Sequence, residues 1–190
     1  MSIIAGLELY WLALADSPRE TAFLATVFML IFPTSYFLHI GYTEATMLAA
    51  VLGAFLALRY DHWMLAGMCG AAAALTHPQG VLLVAIFAAE LCNRWRFGRP
   101  FNWTWLLSGG FVIAGFASYL FWNYHRTGDP MTWLAIQSQW GNHHVSPYAS
   151  IRESLDILHH YDNSASQVMG FQPLLFIGIA VVSILASLVC

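Results

Sequence analysis

The sequence predicts an all-α integral membrane protein: a polytopic helical bundle of about six to seven apolar helices, two of them short, with one extracytoplasmic loop carrying short amphipathic helices. Three observations predict it. Of the 190 residues, 59% are hydrophobic and only 9% charged, whereas soluble domains carry about 25% charged residues. A chain this apolar cannot cover itself with water-compatible surface, so lipid is its expected solvent. Apolar runs recur between short polar turns, and the arginines sort into alternate turns.

Taken in order, residues 2–15 form a short apolar helix interrupted by Glu8. No basic stretch precedes it, so a secretory signal is not indicated. Asp16-Ser-Pro-Arg-Glu20 is a turn and helix start, with Ser17 expected as N-cap and Pro18 at the first helical position. The run over 20–40 is long enough to cross a bilayer, and Pro33 should kink it or tip its outer end. Thr43 is the expected N-cap of the next run, 44–60, which Arg59-Tyr-Asp61 closes. Two shorter runs, 62–76 and 79–92, flank Thr76-His-Pro-Gln-Gly80, where Pro78 suits a first helical turn and Gly80 relaxes the packing. Their length also suits a re-entrant hairpin, so their membrane depth stays open. Residues 93–103 are polar and basic and flanked by Trp95, Trp103 and Trp105, as interface anchors are. A clear span covers 104–124, a polar loop 125–170, and a last apolar run 171–190. Within the loop, Trp133, Ile136 or Gln137 and Trp140, then Ile151, Leu155 and Leu158, recur at helical spacing and predict two short amphipathic helices. These plug the bundle or face a substrate. The whole of 1–190 reads as one transmembrane region. Both ends are expected to be cuts through a larger protein, since the chain stops inside an apolar run at Cys190.

Alternating sides puts Arg19, Arg59, Arg94, Arg96 and Arg99 on one face and only Arg126 and Arg152 on the other. This is the positive-inside pattern, so the turn at 39–44, the turn at 76–80 and the long loop face outward. The formal charge of −3 and the lack of a basic run exclude a nucleic-acid partner. Cys69, Cys92 and Cys190 lie in apolar runs without metal or redox spacing and read as small buried hydrophobes.

Chemistry is expected where the outward features converge. Glu44 follows the Thr43 cap, where a carboxylate stabilises a helix N-terminus by about 0.3–1 kcal/mol; alternatively it polarises a sugar hydroxyl or helps hold a metal. His77 precedes Pro78 at a helix start, either as a cap or as a neighbour of a phosphate. Asp129, in Gly128-Asp-Pro130, is an ordinary N-cap or a sugar ligand. His143-His144 and His159-His160, with Asp156 and Asp162 nearby, lack the spacing that brings ligands onto one ion. No metal site is assigned, and the loop histidines are read as solvent-facing.

Phe32-Pro-Thr-Ser-Tyr-Phe-Leu38, Tyr42-Thr-Glu44, Ala74-Leu-Thr-His-Pro-Gln-Gly80 and Glu90 together resemble the PIG-V-like mannosyltransferases and their bacterial relatives. Tyr124-His-Arg-Thr-Gly-Asp-Pro130 and Gln137-Ser-Gln-Trp-Gly141 resemble a later loop of the same family. The order of these motifs over residues 20–145 carries the likeness; no one motif is diagnostic. The resemblance implies the GT-C class: membrane glycosyltransferases that take a sugar from a polyprenyl-phosphate carrier on the extracytoplasmic face, a carboxylate deprotonating the acceptor. It implies Tyr42, Glu44, His77, Gln79 and Asp129 as substrate-binding candidates. The bilayer and the lipid-linked donor are the implied partners, with a partner subunit an open option. No cofactor is required, a divalent metal being the open option. The implied location is the bacterial inner (cytoplasmic) membrane ahead of the endoplasmic reticulum. Two departures matter. His77 stands where relatives carry Arg, and the family's first-loop acid would lie upstream of Met1. The chain is therefore expected to be a fragment incomplete for catalysis. The alternative is a non-catalytic polytopic membrane protein, such as a transporter segment or an assembly partner.

Overall fold

The computed structural model describes residues 1–32, 35–40, 42–98, 100–139 and 146–160, and six further positions between 171 and 181. Most of these residues are helical, and no strand is found among them. They divide into two compact units, Met1–Thr132 and Trp133–Cys190.

The first unit holds α1 (Ser2–Leu14), α2 (Arg19–Ile31), α3 (Tyr36–His39), α4 (Glu44–Arg59), α5 (Trp63–Thr76), a 3₁₀ turn (Pro78–Leu82), α6 (Leu83–Arg96) and α7 (Trp103–Thr127). Each break has a local cause. Pro18 sits at the cap of α2 with an extended ψ of 153°, so the helix begins at Arg19, one residue later than expected, and Ser17 is not the cap. Phe32 is extended as well, with ψ 142°, as a residue ahead of a proline tends to be. The run over 20–40 is therefore not one helix: α2 ends at Ile31 and a single turn, α3, follows. Pro33 itself lies outside the described residues. Thr43 holds the cap position of α4 but its side chain makes no capping bond. Its backbone is already right-handed helical (φ −78°, ψ −12°), whereas an N-cap that reaches back is usually extended. Pro78 opens the 3₁₀ turn that precedes α6.

Of the described helices, only α7 is long and apolar enough to cross a membrane, at 25 residues; α1 and α5 are apolar but shorter. A hydrocarbon core about 30 Å thick needs about 20 helical residues. The 13 to 16 residues of α1, α2, α4, α5 and α6 fall short of that.

Helix α5 is the centre of the unit, flanked by α4 and α7, while α1 packs on α2 and α4, and α6 on α7. The α5–α7 seam is made of backbone. A Cβ added to Gly67 would lie 2.7 Å from Ser108 Cα, and one added to Gly115 would lie 2.4 Å from the Ala71 carbonyl oxygen. Matching 67 with 108, 70 with 112 and 71 with 115 makes the two helices parallel. Such close approach through small residues is how helices associate where no water drives them together. Buried Ala54, Ala66, Ala73, Leu83, Phe87 and Val112 fill the rest of this core.

Ion pairs fix one end of the bundle. Arg59 pairs with Asp16, and Arg94 pairs with Asp61 and Glu90. The turns after α1, α4 and α6, expected on one face from the alternation of the apolar runs, thus meet at one end. There Arg94 lies 5.2 Å over the Trp63 ring, and Trp63 stacks against Phe87 and Trp105. Arg99 lies outside the described residues.

At its other end α7 stops on Gly128, whose φ of 78° closes the helix with an N–H to the Tyr124 carbonyl. In the second unit, α8 (Thr132–Gln139) and α9 (Pro147–His160) occupy the two stretches expected to be short helices. On α9 the covered side runs through Ile151, Ser154 and Leu158, while Leu155 is 44% exposed. Trp140, Gly141, His143, His144, Asp162 and most of the run 171–190 lie outside the described residues.

Candidate functional site

Glu44 opens α4, so its carboxylate sits in the first turn of a 16-residue helix. One face of that turn looks into a groove of about 630 Å³ between α2, α3 and α4. The walls are apolar: Phe28, Met29, Phe32, Phe37 and Leu38 line it with Glu44. The Ser35 hydroxyl, also on the wall, is engaged by the Met29 carbonyl. Glu44 Oε2 is shielded from solvent and has no hydrogen-bond partner among the described residues. A sheltered carboxylate oxygen without a donor costs about 1–3 kcal/mol or more. The helix-end stabilisation of about 0.3–1 kcal/mol does not offset that. An N-terminal role alone is therefore a poor account of Glu44.

The groove is held by side-chain bonds to carbonyls. Ser2 donates to the Leu38 carbonyl and Ser35 to that of Met29, and His39 Nε2 bonds the Leu30 carbonyl at 3.1 Å. Tyr42 is half exposed and meets Phe37 edge to face, with ring centroids 5.8 Å apart. Tyr42 therefore supports a wall of the groove from outside.

His77 follows α5, and its Nδ1 is bonded to the Gln79 side chain. The antiparallel match of Gly53 with Cys69 puts Glu44 roughly level with residue 78 at 1.5 Å rise per residue. Glu44 and the His77–Gln79 pair thus share one end of the α4–α5 pair. They do not share the groove, and no bond joins them among the described residues. Asp129 lies farther along. With Ala71 opposite Gly115, α7 runs on past the end of α5 by about seven residues, or roughly 10 Å. There the Asp129 carboxylate accepts from Met131 N–H at 2.9 Å and Thr127 bridges to Thr132. This bond closes the turn ahead of α8, which begins at Thr132 rather than at Pro130, so Asp129 shapes the turn instead of capping a helix that starts beside it. Glu90, quoted for its motif, lies at the opposite end, paired with Arg94.

Among the described residues no three His, Cys, Asp or Glu side chains converge as a metal site would need. His159 Nδ1 instead bonds the Leu155 carbonyl at 3.0 Å.

One residue escaped sequence reasoning. Glu8 on α1 presses into α4: a Cβ added to Gly53 would sit 2.9 Å from its Oε1 and 3.4 Å from Cys69 Sγ. Glu8 Oε2 is sheltered and unpartnered among the described residues, like that of Glu44. The available signal was its position as the one charged residue within 2–15. An ionisable group inside an apolar helix is costly enough to ask for a role.

No family profile, curated protein or solved structure matches the chain.

Proposed function

We propose that the chain forms the membrane region of a glycosyltransferase of mannosyltransferase type, moving a sugar from a polyprenyl-phosphate carrier to an acceptor on the extracytoplasmic face. In this reading the arginine end lies in the cytoplasm of a bacterium, α7 spans the inner membrane, and the shorter apolar helices sit around it as a polytopic bundle. Large apolar side chains turned outward on α2 and α7, such as Phe23, Phe28, Leu107, Phe121 and Trp122, support a lipid surround. The observation that carries the proposal is Glu44, a carboxylate lining an apolar groove with its Oε2 shielded and without a partner among the described residues, at the end of the bundle opposite the arginine pairs. A carboxylate so placed can accept the proton of an acceptor hydroxyl as it attacks the sugar.

The test is sugar transfer in membranes of cells expressing the protein from its own gene, supplied with a labelled lipid-linked sugar. Glu44→Gln should lower transfer by about 10²–10⁴-fold if it acts as general base. His77→Ala should lower it less, since its imidazole already bonds Gln79. Unchanged transfer in both variants rejects the assignment. That result would favour the second reading, a non-catalytic membrane protein, on which the local bonds of His77 and Asp129 are purely structural.

A further inference from the structure

The groove beside Glu44 carries information about which substrate it takes. Its lining offers hydrocarbon contact along Phe28, Met29, Phe32, Phe37 and Leu38, and one carboxylate, that of Glu44, whose Oε2 has no hydrogen-bond partner among the described residues. The lining includes no Arg, Lys or His. The three undescribed positions of this stretch, Pro33, Thr34 and Gly41, carry no charge by sequence. A carboxylate oxygen without a partner is completed by a hydrogen-bond donor. A phosphate brings negative charge and, when fully ionised, acceptor oxygens alone, and like charges held together in an apolar wall repel strongly.

We infer that this groove takes the hydrocarbon chain of a membrane lipid whose head group is a hydroxyl, with that hydroxyl donating to Glu44, and that it excludes lipid phosphates. On the glycosyltransferase reading, on which this inference rests for its biological sense, the groove belongs to the acceptor and the phosphate-bearing carrier binds elsewhere. The volume of about 630 Å³ falls within the usual size of small-molecule sites, about 300–1,000 Å³, and the groove is open on one side, as entry from lipid requires.

The test places the full chain in nanodiscs with two photoactivatable lipids. Both have the same diazirine-bearing alkyl chain; one ends in a hydroxyl and the other in a phosphate. The hydroxyl lipid should label residues between 25 and 38. Labelling should fall about fivefold in Glu44→Met, as expected for one lost hydrogen bond in a variant of similar length. Leu38→Trp, which fills the groove and leaves Glu44 in place, should abolish the labelling, so a folding defect in the first variant does not decide the result. The phosphate lipid should label the groove poorly in the wild type and better in Glu44→Lys. Equal labelling by the two lipids, or labelling undiminished in both Glu44→Met and Leu38→Trp, overturns the inference. The two proposals fail separately. Hydroxyl-selective labelling without any sugar transfer keeps the groove assignment and rejects the transferase. Transfer with the phosphate lipid seated beside Glu44 does the reverse.

Discussion

The α5–α7 seam and the corner between α2, α3 and α4 are both built from apolar sequence, yet they solve opposite problems. At the seam Gly67 and Gly115 bring two backbones so close that no added side chain fits, and Gly70 makes room for the Val112 side chain. At the corner, large side chains such as Phe28, Phe32 and Phe37 line an open groove of about 630 Å³ and stay exposed themselves. Hydrophobicity is common to both; side-chain size separates them. The rigid seam supplies stability, and the loosely filled corner is where a ligand can be admitted.

The contrast can be broken most forcefully at the seam. Gly115→Leu would drive a branched side chain into the Ala71 backbone, and even the Cβ of Gly115→Ala would lie 2.4 Å from the Ala71 carbonyl oxygen. Overpacking of this kind costs about 1–3 kcal/mol, and we place the alanine variant near the top of that range with leucine beyond it. Thermal unfolding in detergent micelles measures both. Gly109 and Gly110, on the same helix, have no neighbour within 4 Å of an added Cβ. Alanine there should be neutral or stabilising by up to about 1 kcal/mol.

A smaller loss is expected at the base of the seam. Arg94, with 15% of its side chain exposed, holds Asp61 and Glu90 and covers Trp63. Arg94→Met should cost about 1–2 kcal/mol, chiefly through the partly buried Glu90 carboxylate (34% exposed) and the uncovered Trp63, since Asp61 is 55% exposed. At the corner the sign reverses. Glu44→Met removes a sheltered acceptor worth about 1–3 kcal/mol of unmet demand and forfeits about 0.3–1 kcal/mol at the helix end. The variant should therefore unfold later than the wild type, by about 1 kcal/mol, while losing its lipid. A lower stability would mean that Glu44 has a structural partner. The least effect belongs to Arg59→Ala: its pair with Asp16 is exposed (44% and 66%), so the loss should stay under about 1 kcal/mol and shrink in high salt.

Sequence reasoning found most of the helices because apolar runs and the punctuation at Pro18, Asp61 and Pro78 are local signals. It put 16–19, 59–61 and 93–103 on one face by alternating sides along the apolar runs, and the pairs Asp16–Arg59 and Asp61–Arg94 bring these turns together. It expected Pro33 to kink the run over 20–40 but not to end the helix, whereas the extended Phe32 before that proline stops α2 at Ile31. It could not separate Glu44 from His77 and Asp129, since sharing an end of the bundle is a matter of topology while sharing a groove depends on side-chain geometry. Glu8 and Gly53 are 45 positions apart, and nothing local to either announces that they touch.

Gly80 has a consequence for how this chain can change over generations. A Cβ there would lie 2.4 Å from the Ala73 carbonyl carbon and the Ala74 nitrogen, so the obstacle is main chain. No second substitution can shrink a peptide group, and the usual remedy for a steric conflict, a smaller neighbour, does not exist at this turn. Descendants of this sequence can therefore alter the link between α5 and α6 by inserting or deleting residues, but hardly by exchanging the glycine. Variation at this turn should appear as differences in length.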